Sequence, residues 1–113
     1  MADCVFCKIV TGDIPSTRVL ETDRAYAFRD LAPQAPTHVL VVPKEHHADL
    51  AALTSADPEL LADVFAAAVA VAEQEGLTGG YRVLTNTGPD SGQTVFHVHL
   101  HVLGGRAFAW PPG

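Results

Sequence analysis

Hydrophobic and polar positions along the chain alternate with a strand-like period in some segments and a helix-like period in others. Alternation over four to nine residues, rich in β-branched and aromatic side chains and bounded by Gly, Pro or Asp, is typical of strands. This pattern predicts five strands, the last being the longest: residues 18–21, 25–29, 38–42, 81–85 and 95–103.

A helix-like period appears twice. A short helix is predicted over Cys4–Val10, and a long amphipathic helix begins at Asp57-Pro58, a favourable cap and first-turn pair, and ends before Gly76. The long helix is poor in charge on its outer faces as well, which predicts that its second side contacts another copy of the chain. Cover by the chain itself is the alternative.

With one main helix among five strands, crossover connections are too few for a parallel sheet. The pattern therefore predicts an α+β fold with a largely antiparallel sheet in a single domain, residues 1–113. Apolar residues make up 48% of the chain and charged residues 18%, which excludes a disordered protein.

The net charge of the chain limits the kinds of partner it can bind. The net charge of −6 disfavours a nucleic-acid polymer as partner but leaves room for a small anion in a local pocket. No apolar run reaches the roughly 20 residues of a membrane span. The segment Met1–Cys4 has no leader-like pattern, so a cytoplasmic location is expected.

The densest chemistry lies in the last predicted strand, where His97, His99 and His101 alternate with apolar residues. A period of two places the three imidazoles on one face. The outer two would lie ~13 Å apart, too far to share one zinc ion. Neutral imidazole is a nucleophile toward phosphorus and protonated imidazole a donor to phosphate, which favours catalysis. A metal-only site and a solvated histidine face are the alternatives.

The preceding polar loop, Asn86–Gly92, strengthens this interpretation. Gly88 and Gly92 allow a backbone nest for an anion, and Ser91, Gln93 and Thr94 add neutral donors. An ordinary hairpin loop has a similar composition.

The pair Cys4 and Cys7, spaced C-x-x-C, allows three interpretations: half of a metal site, two ordinary apolar cysteines, or a redox pair. The redox interpretation requires a strand before the motif, where only three residues stand.

The run His97–Leu103 (His, apolar, His, apolar, His, two apolars) resembles the signature of the histidine triad (HIT) superfamily. Segments elsewhere resemble its HINT branch, the histidine triad nucleotide-binding proteins: Phe6–Val10, Gly12–Pro15, Ala27–Asp30, Pro33–His38, Val42–Lys44, Gly92–Gln93, Leu103–Arg106 and Trp110–Gly113. The resemblance covers nearly the whole chain.

This resemblance implies a HIT-like homodimer whose two sheets join, with a purine nucleoside monophosphate in each cleft. It implies a phosphoramidase that cleaves the P–N bond of nucleoside phosphoramidates such as AMP-amine or AMP-lysine compounds. His99 would be the nucleophile and form a nucleotidyl-histidine intermediate. A nucleotide-binding scaffold without catalysis is the alternative function.

Roles for other residues follow from the same resemblance. His101 would contact the phosphate, and His38 would hold and polarise the nucleophile. Asp30 would accept from the ribose hydroxyls. Phosphate or leaving-group contacts would come from Asn86, Gln93 and Thr94, with Gly92 in the same loop. The purine would lie between Phe6, Ile9 and Phe28, and Trp110 would shape the leaving-group side, with the partner subunit as its expected source.

The resemblance also extends the cysteine motif to a structural zinc site with four ligands: Cys4, Cys7, His46 and His97. Relatives without the cysteines imply that catalysis does not need the metal. If His97 is a ligand, its other ring nitrogen is expected to donate to an acceptor. Thr94 stands where relatives often have Ser, which preserves the hydroxyl.

Overall fold

Five antiparallel strands form one sheet in the computed structural model, which describes residues 4–113. The strands are Arg18–Glu21 (β1), Ala25–Arg29 (β2), Thr37–Pro43 (β3), Tyr81–Leu84 (β4) and Leu100–Gly104 (β5). They are ordered β1-β2-β3-β5-β4, and every neighbouring pair is antiparallel. The predicted α+β class and five-stranded sheet are confirmed. The expected lack of a leader concerns residues 1–3, which lie outside the described range.

Three α-helices accompany the sheet within residues 4–113: Val5–Thr11 (α1), Leu50–Ala56 (α2) and Pro58–Gln74 (α3), with one turn of 3-10 helix at Pro89–Ser91. The predicted start of α3 is confirmed, because the Asp57 carboxylate accepts from the Leu60 N–H at 3.0 Å and Pro58 begins the helix. After α3 ends at Gln74, Gly76 adopts a φ of 70°, a conformation that favours glycine.

The period of two along the strands gives the sheet two chemically different faces. One face packs against α3 in the main core, to which the sheet contributes Ala25, Ala27, Val39, Val41, Leu100 and Val102. The other face packs against α1 through Phe28, Leu40 and Val42, which contact Phe6 and Ile9. Each fully buried aliphatic side chain stabilises the fold by about 1.5–3 kcal/mol. The second face carries the chemistry described below.

One sequence prediction of local structure is wrong, and one helix was missed. The last strand begins at Leu100 rather than Val95, because residues 95–99 bend out of the ladder and the Val98 N–H donates to the carbonyl of His47 at 2.7 Å. The helix α2 was not predicted. It is a single short helix capped by Asp49, and only Leu53 among its side chains is buried, so it leaves almost no periodic signal.

Within residues 4–113, no helix has the length and apolar character needed to cross a lipid bilayer.

Candidate functional site

A cleft of about 370 Å³ opens on the α1 side of the sheet. It is lined by seven residues that the sequence singled out: Phe6, Ile9, Phe28, Asp30, Thr94, His99 and His101. Phe6 and Phe28 meet edge to face with their ring centroids 5.5 Å apart and form an apolar wall. Polar groups also line the cleft, so it suits a ligand with a flat apolar part and an anionic part.

The cleft also contains residues that sequence reasoning missed. Residues 14–17, which follow α1, line it, and so do Leu40 and Val95. A signal for Leu40 was present: it lies two positions from His38 on β3, so the strand period places both side chains on the cleft face.

The predicted alternation of the last segment is confirmed in the burial of its side chains. Val98, Leu100 and Val102 belong to the core beside α3. His99 and His101 line the cleft instead, with ring centroids 5.1 Å apart. The third imidazole, His97, is fully buried and contacts the two cysteines. The three histidines therefore divide between two sites.

Hydrogen bonding assigns the protons of the His99 ring. Its Nδ1 lies 2.9 Å from the carbonyl oxygen of His97. A carbonyl oxygen only accepts, so Nδ1 carries the proton and Nε2 of the neutral ring keeps its lone pair. The edge contact with Phe6, at 5.0 Å between centroids and 87° between planes, fixes the ring further. The His99 ring is therefore held in one orientation with Nε2 free to act as an acceptor or a nucleophile.

His38 has a different partner from the one expected. Its Nε2 lies 2.8 Å from Nδ1 of His101, not against His99, which is held by the His97 carbonyl. The backbone N–H of Gln34 donates to Nδ1 of His38 at 3.0 Å. That donor leaves the proton of the neutral His38 ring on Nε2, which then donates to His101. Among the described residues His38 therefore contacts and orients His101, and the expected contact with His99 is not present.

The same logic fixes His101. Because Nδ1 of His101 accepts, its proton is on Nε2. Nε2 is buried and has no hydrogen-bond partner within residues 4–113. Burial, with the nearby His99 and His38, lowers the pKa of His101 to about 4, so the ring is neutral near pH 7. A buried N–H without a partner costs about 1–3 kcal/mol, and an anionic oxygen in the cleft would relieve that cost.

Asp30 lies at the end of the relay. One carboxylate oxygen accepts from the Ala32 N–H at 2.8 Å, and the other lies 3.4 Å from Nε2 of His38. Desolvation lowers the pKa of His38, and the carboxylate of Asp30 opposes that shift. The carboxylate is half-buried and lines the cleft, where it can also accept from ligand hydroxyls.

A second constellation brings together all four predicted metal ligands, Cys4, Cys7, His46 and His97, with their donor atoms within 4.8 Å of one another. The two Nδ1 atoms are 3.2 Å apart, and three of the four N···S distances are 3.3, 3.5 and 3.5 Å. Tetrahedral zinc, with Zn–N of about 2.05 Å and Zn–S of about 2.3 Å, requires about 3.3 Å between nitrogens and about 3.5 Å between N and S. The donor set and its geometry fit Zn²⁺.

The His97 ring is prepared for a metal. Its Nε2 donates to the carbonyl oxygen of Pro43 at 2.8 Å, which leaves the lone pair on Nδ1, the atom that faces the cysteines. The expected acceptor for the second nitrogen is confirmed. Desolvation lowers the pKa of His97 to about 4, so the ring is in the neutral form that metals bind.

The relay of Asp30, His38 and His101 also has metal-ligand composition, but its protons argue against a metal site. Nδ1 of His38 already accepts from the Gln34 N–H, so the ring proton is on Nε2. A metal bound at Nε2 would displace that proton, which would leave an imidazolate or move the proton to Nδ1, where it would clash with the Gln34 N–H. The group is therefore a hydrogen-bonded relay.

The glycine loop differs from the expected nest. The Gly88 N–H donates to the Gln93 side chain at 2.9 Å, and the Gly92 N–H donates to the Pro89 carbonyl at 3.0 Å. The Gln93 amide is 5% exposed and donates to the carbonyls of Ala48 and Val95. These groups close the loop on itself rather than facing an anion, and Thr94 is the loop residue that reaches the cleft.

Two further predicted residues lie outside the cleft of the single chain. Asn86 is half-buried beyond β4, and Trp110 is 81% exposed near the C-terminus. Neither lines the cleft among the residues described.

Comparison with known proteins gives the family. The HIT domain model matches residues 11–108. A 14 kDa zinc-binding protein of Zea mays is 48% identical over 112 residues, covering 96% of this chain and 87% of its own. The crystal structure of a HIT family hydrolase from Legionella pneumophila superposes with a TM-score of 0.94 at 49% identity, covering 98% of this chain and 100% of its own. A histidine triad nucleotide-binding protein from Candida albicans gives a TM-score of 0.83 at 34% identity, covering 98% and 85%. With this match and the histidine arrangement above, the chain belongs to the HIT family.

Proposed function

We propose that this protein is a member of the HINT branch that binds purine nucleoside monophosphates and hydrolyses the P–N bond of nucleoside phosphoramidates. The observation that carries the proposal is the pair of fixed tautomers in the cleft: a free lone pair on Nε2 of His99 beside a proton on Nε2 of His101. The names of the Legionella hydrolase and the Candida nucleotide-binding protein agree with it.

The nucleoside would occupy the apolar end of the cleft. Phe6, Ile9 and Phe28 offer a wall for the purine, and Asp30 offers a carboxylate to the ribose hydroxyls. The phosphate would then lie toward His99 and His101. Thr94 would contribute its hydroxyl to a phosphate oxygen or to the leaving group, and the loop residues Gly92 and Gln93 would act by holding Thr94 in place.

In the first step, Nε2 of His99 attacks the α-phosphorus. A bond forms between nitrogen and phosphorus, the P–N bond to the amine breaks, and the amine leaves after taking a proton from solvent. The His99 ring is positively charged when Nε2 is bonded to phosphorus and Nδ1 keeps its proton. The His97 carbonyl, which accepts from Nδ1, stabilises that charge. The His101 N–H donates to a non-bridging phosphate oxygen.

In the second step, water attacks the phosphorus of the nucleotidyl-histidine. The bond to His99 breaks, its lone pair returns to Nε2, and the nucleoside monophosphate is released with loss of a proton to solvent. His38 keeps the His101 proton directed at the phosphate through both steps, because the Gln34 N–H fixes its own tautomer.

The protein would act as a homodimer whose sheet continues from one copy to the next. β4 is an edge strand, and α3 exposes an apolar stripe that includes Phe65 at 40% and Val69 at 44%. A second copy would cover both. It would also bring its exposed Trp110 toward the neighbouring leaving-group side. Asn86 would contact the phosphate or the leaving group.

The site of Cys4, Cys7, His46 and His97 would hold a structural zinc ion, in keeping with the name of the maize relative. All four positions would be filled by protein, so the metal would stabilise the fold and take no part in the reaction. Free cysteine ligands fit the reducing cytoplasm, and we place the protein there, acting through one domain of residues 1–113.

The test is hydrolysis of an adenosine 5′-phosphoramidate carrying a fluorescent amine. His99→Ala should lower kcat by at least about 10³-fold, because the nucleophile is lost. His47→Ala is the matched control, since His47 pairs with Glu45 outside the cleft and should retain the parent rate. If the parent protein binds AMP but leaves the probe intact, the scaffold alternative is the correct function.

A further inference from the structure

We propose that His97 and α1 couple the metal site to the nucleotide cleft, so that nucleotide binds more tightly when the metal ligands are engaged. This inference rests on the proposed nucleotide binding. It concerns two sites that differ in chemistry and share a residue and a helix.

The first connection is His97 itself. Its ring presents Nδ1 to Cys4 at 3.3 Å and to Cys7 at 3.5 Å, and its main-chain carbonyl accepts from Nδ1 of His99 at 2.9 Å. Residues 95–99 lie outside the strand ladder, so ladder hydrogen bonds do not hold this carbonyl in place. Its position depends instead on two contacts: the Val98 N–H of the same peptide donates to the carbonyl of His47, the neighbour of the ligand His46, at 2.7 Å, and the His97 side chain is held by Pro43 on one nitrogen and faces the cysteines with the other.

The second connection is α1, which contributes to both sites. Cys4 caps the helix and Cys7 lies within it, whereas Phe6 and Ile9 on the same helix line the cleft. The Phe6 ring lies 6.0 Å from the ring of His97 and 5.0 Å from that of His99. A displacement of α1 would therefore move the apolar wall and the support of the nucleophile together.

α1 needs such an anchor. It has only seven residues, and an isolated helix of that length is unstable in water. Two buried side chains, Phe6 and Ile9, hold it to the sheet. Bonds from Cys4 and Cys7 to an ion shared with His46 and His97 would tie both ends of its first turn to the body of the protein.

The coupling would be mechanical rather than electrostatic. Two thiolates offset the double charge of Zn²⁺, so filling the site adds no net charge near a phosphate. Co²⁺, which accepts the same tetrahedral donors, should couple as strongly as Zn²⁺.

The experiment measures AMP binding by calorimetry to protein that is loaded with zinc and to protein stripped with a chelator. We expect AMP to bind at least about tenfold more tightly to the loaded protein, within the usual range of coupling between sites. By linkage, saturating AMP should raise zinc affinity, measured by competition with a chromogenic chelator, by the same factor. Thr11→Ala, on the exposed side of α1, is the control and should keep both effects.

The outcomes are distinguishable. Equal AMP affinity for the loaded and stripped proteins would overturn the coupling and leave the proposed function intact. Failure of AMP to bind either form would overturn the proposed function. If the stripped protein unfolds, the chelator competition decides alone, because it starts from the folded loaded form: zinc affinity unchanged by AMP would contradict the proposal.

Discussion

Removal of zinc is expected to lower the thermal stability of this protein by a predictable amount. The perturbation is the exchange of zinc-loaded for chelator-treated protein, with Cys4→Ser as the genetic equivalent. All four donors come from segments that only the folded chain brings together: the start of α1, His46 after β3, and His97 before β5. The unfolded chain keeps only the local pair Cys4 and Cys7, so zinc favours the folded state.

The magnitude follows from mass action and chain length. With free zinc at 100 times its dissociation constant, the folded state gains about 2.7 kcal/mol. An unfolding entropy of about 2.1 cal/mol/K per residue gives about 0.24 kcal/mol/K for 113 residues. The quotient is a rise in Tm of about 11 °C.

The assay is a melt followed by circular dichroism at several free zinc concentrations. Tm should rise with the logarithm of zinc concentration in the parent protein and stay constant in Cys4→Ser. A Tm that moves by less than about 2 °C across a hundredfold excess of zinc would refute a four-ligand site. An equal response in Cys4→Ser would place the metal elsewhere.

Three further predictions concern the cleft and the subunit contact. The pKa of His101 is about 4 in the folded chain and 6.5 in the unfolded chain, so between these pH values only the unfolded chain binds the proton. Urea titrations should therefore show the free energy of unfolding falling as pH drops from about 6.5 toward 4, and falling less in His101→Asn. Asp30→Asn should reduce the preference for AMP over its 2′,3′-dideoxy analogue, measured by calorimetry, by roughly ten- to a hundredfold. This is the loss of a charged hydrogen bond worth about 1.5–3 kcal/mol. An unchanged preference would show that Asp30 does not recognise the ribose. Phe65→Asp should convert the dimer to a monomer in sedimentation, whereas Ser55→Asp on exposed α2 should not, and a monomeric parent protein would contradict the proposed dimer.

The sequence predicted the framework well because its signals are local and periodic. Strands β1 and β2 have the predicted bounds, and the cap at Asp57 marks the start of α3. Alternation in the last segment correctly predicted that Val98 and Leu100 face the core and that His99 between them faces the cleft. It did so although the backbone before Leu100 is not a regular strand. Side-chain burial preserved the pattern where the hydrogen-bond ladder did not.

Hydrogen-bond partners were beyond the reach of the sequence. Nothing in the residue order says that the Gln34 main chain donates to His38, or that the His97 carbonyl receives His99. Those two backbone groups decide which nitrogen of each ring is free, and they depend on loop paths that tertiary packing sets. The loop around Gly88 is a further example. Its glycine N–H and polar side chain were predicted to bind an anion, but the Gly88 N–H donates to the Gln93 side chain and closes the loop.

The metal-site residues were predictable because two sequence features agreed: the C-x-x-C spacing and the resemblance to HIT proteins. The cysteine pair, His46 and His97 converge although 93 positions separate Cys4 from His97. Trp110 and Asn86 do not line the cleft of the described chain; the role predicted for Trp110 involves a second copy, and nothing in the residue order shows that Asn86 lies beyond β4 and away from the cleft.

The most direct test of the central claim is chemical trapping of the intermediate on His99. The protein is mixed with an adenosine phosphoramidate, quenched in base to preserve a phosphorus–nitrogen bond, digested and examined by mass spectrometry. We predict an adenylyl group on the peptide that contains His99, absent from His99→Ala and lost as free AMP accumulates. Turnover in which the adenylyl group is found on another residue, or in which His99→Ala matches the parent rate, would contradict the account.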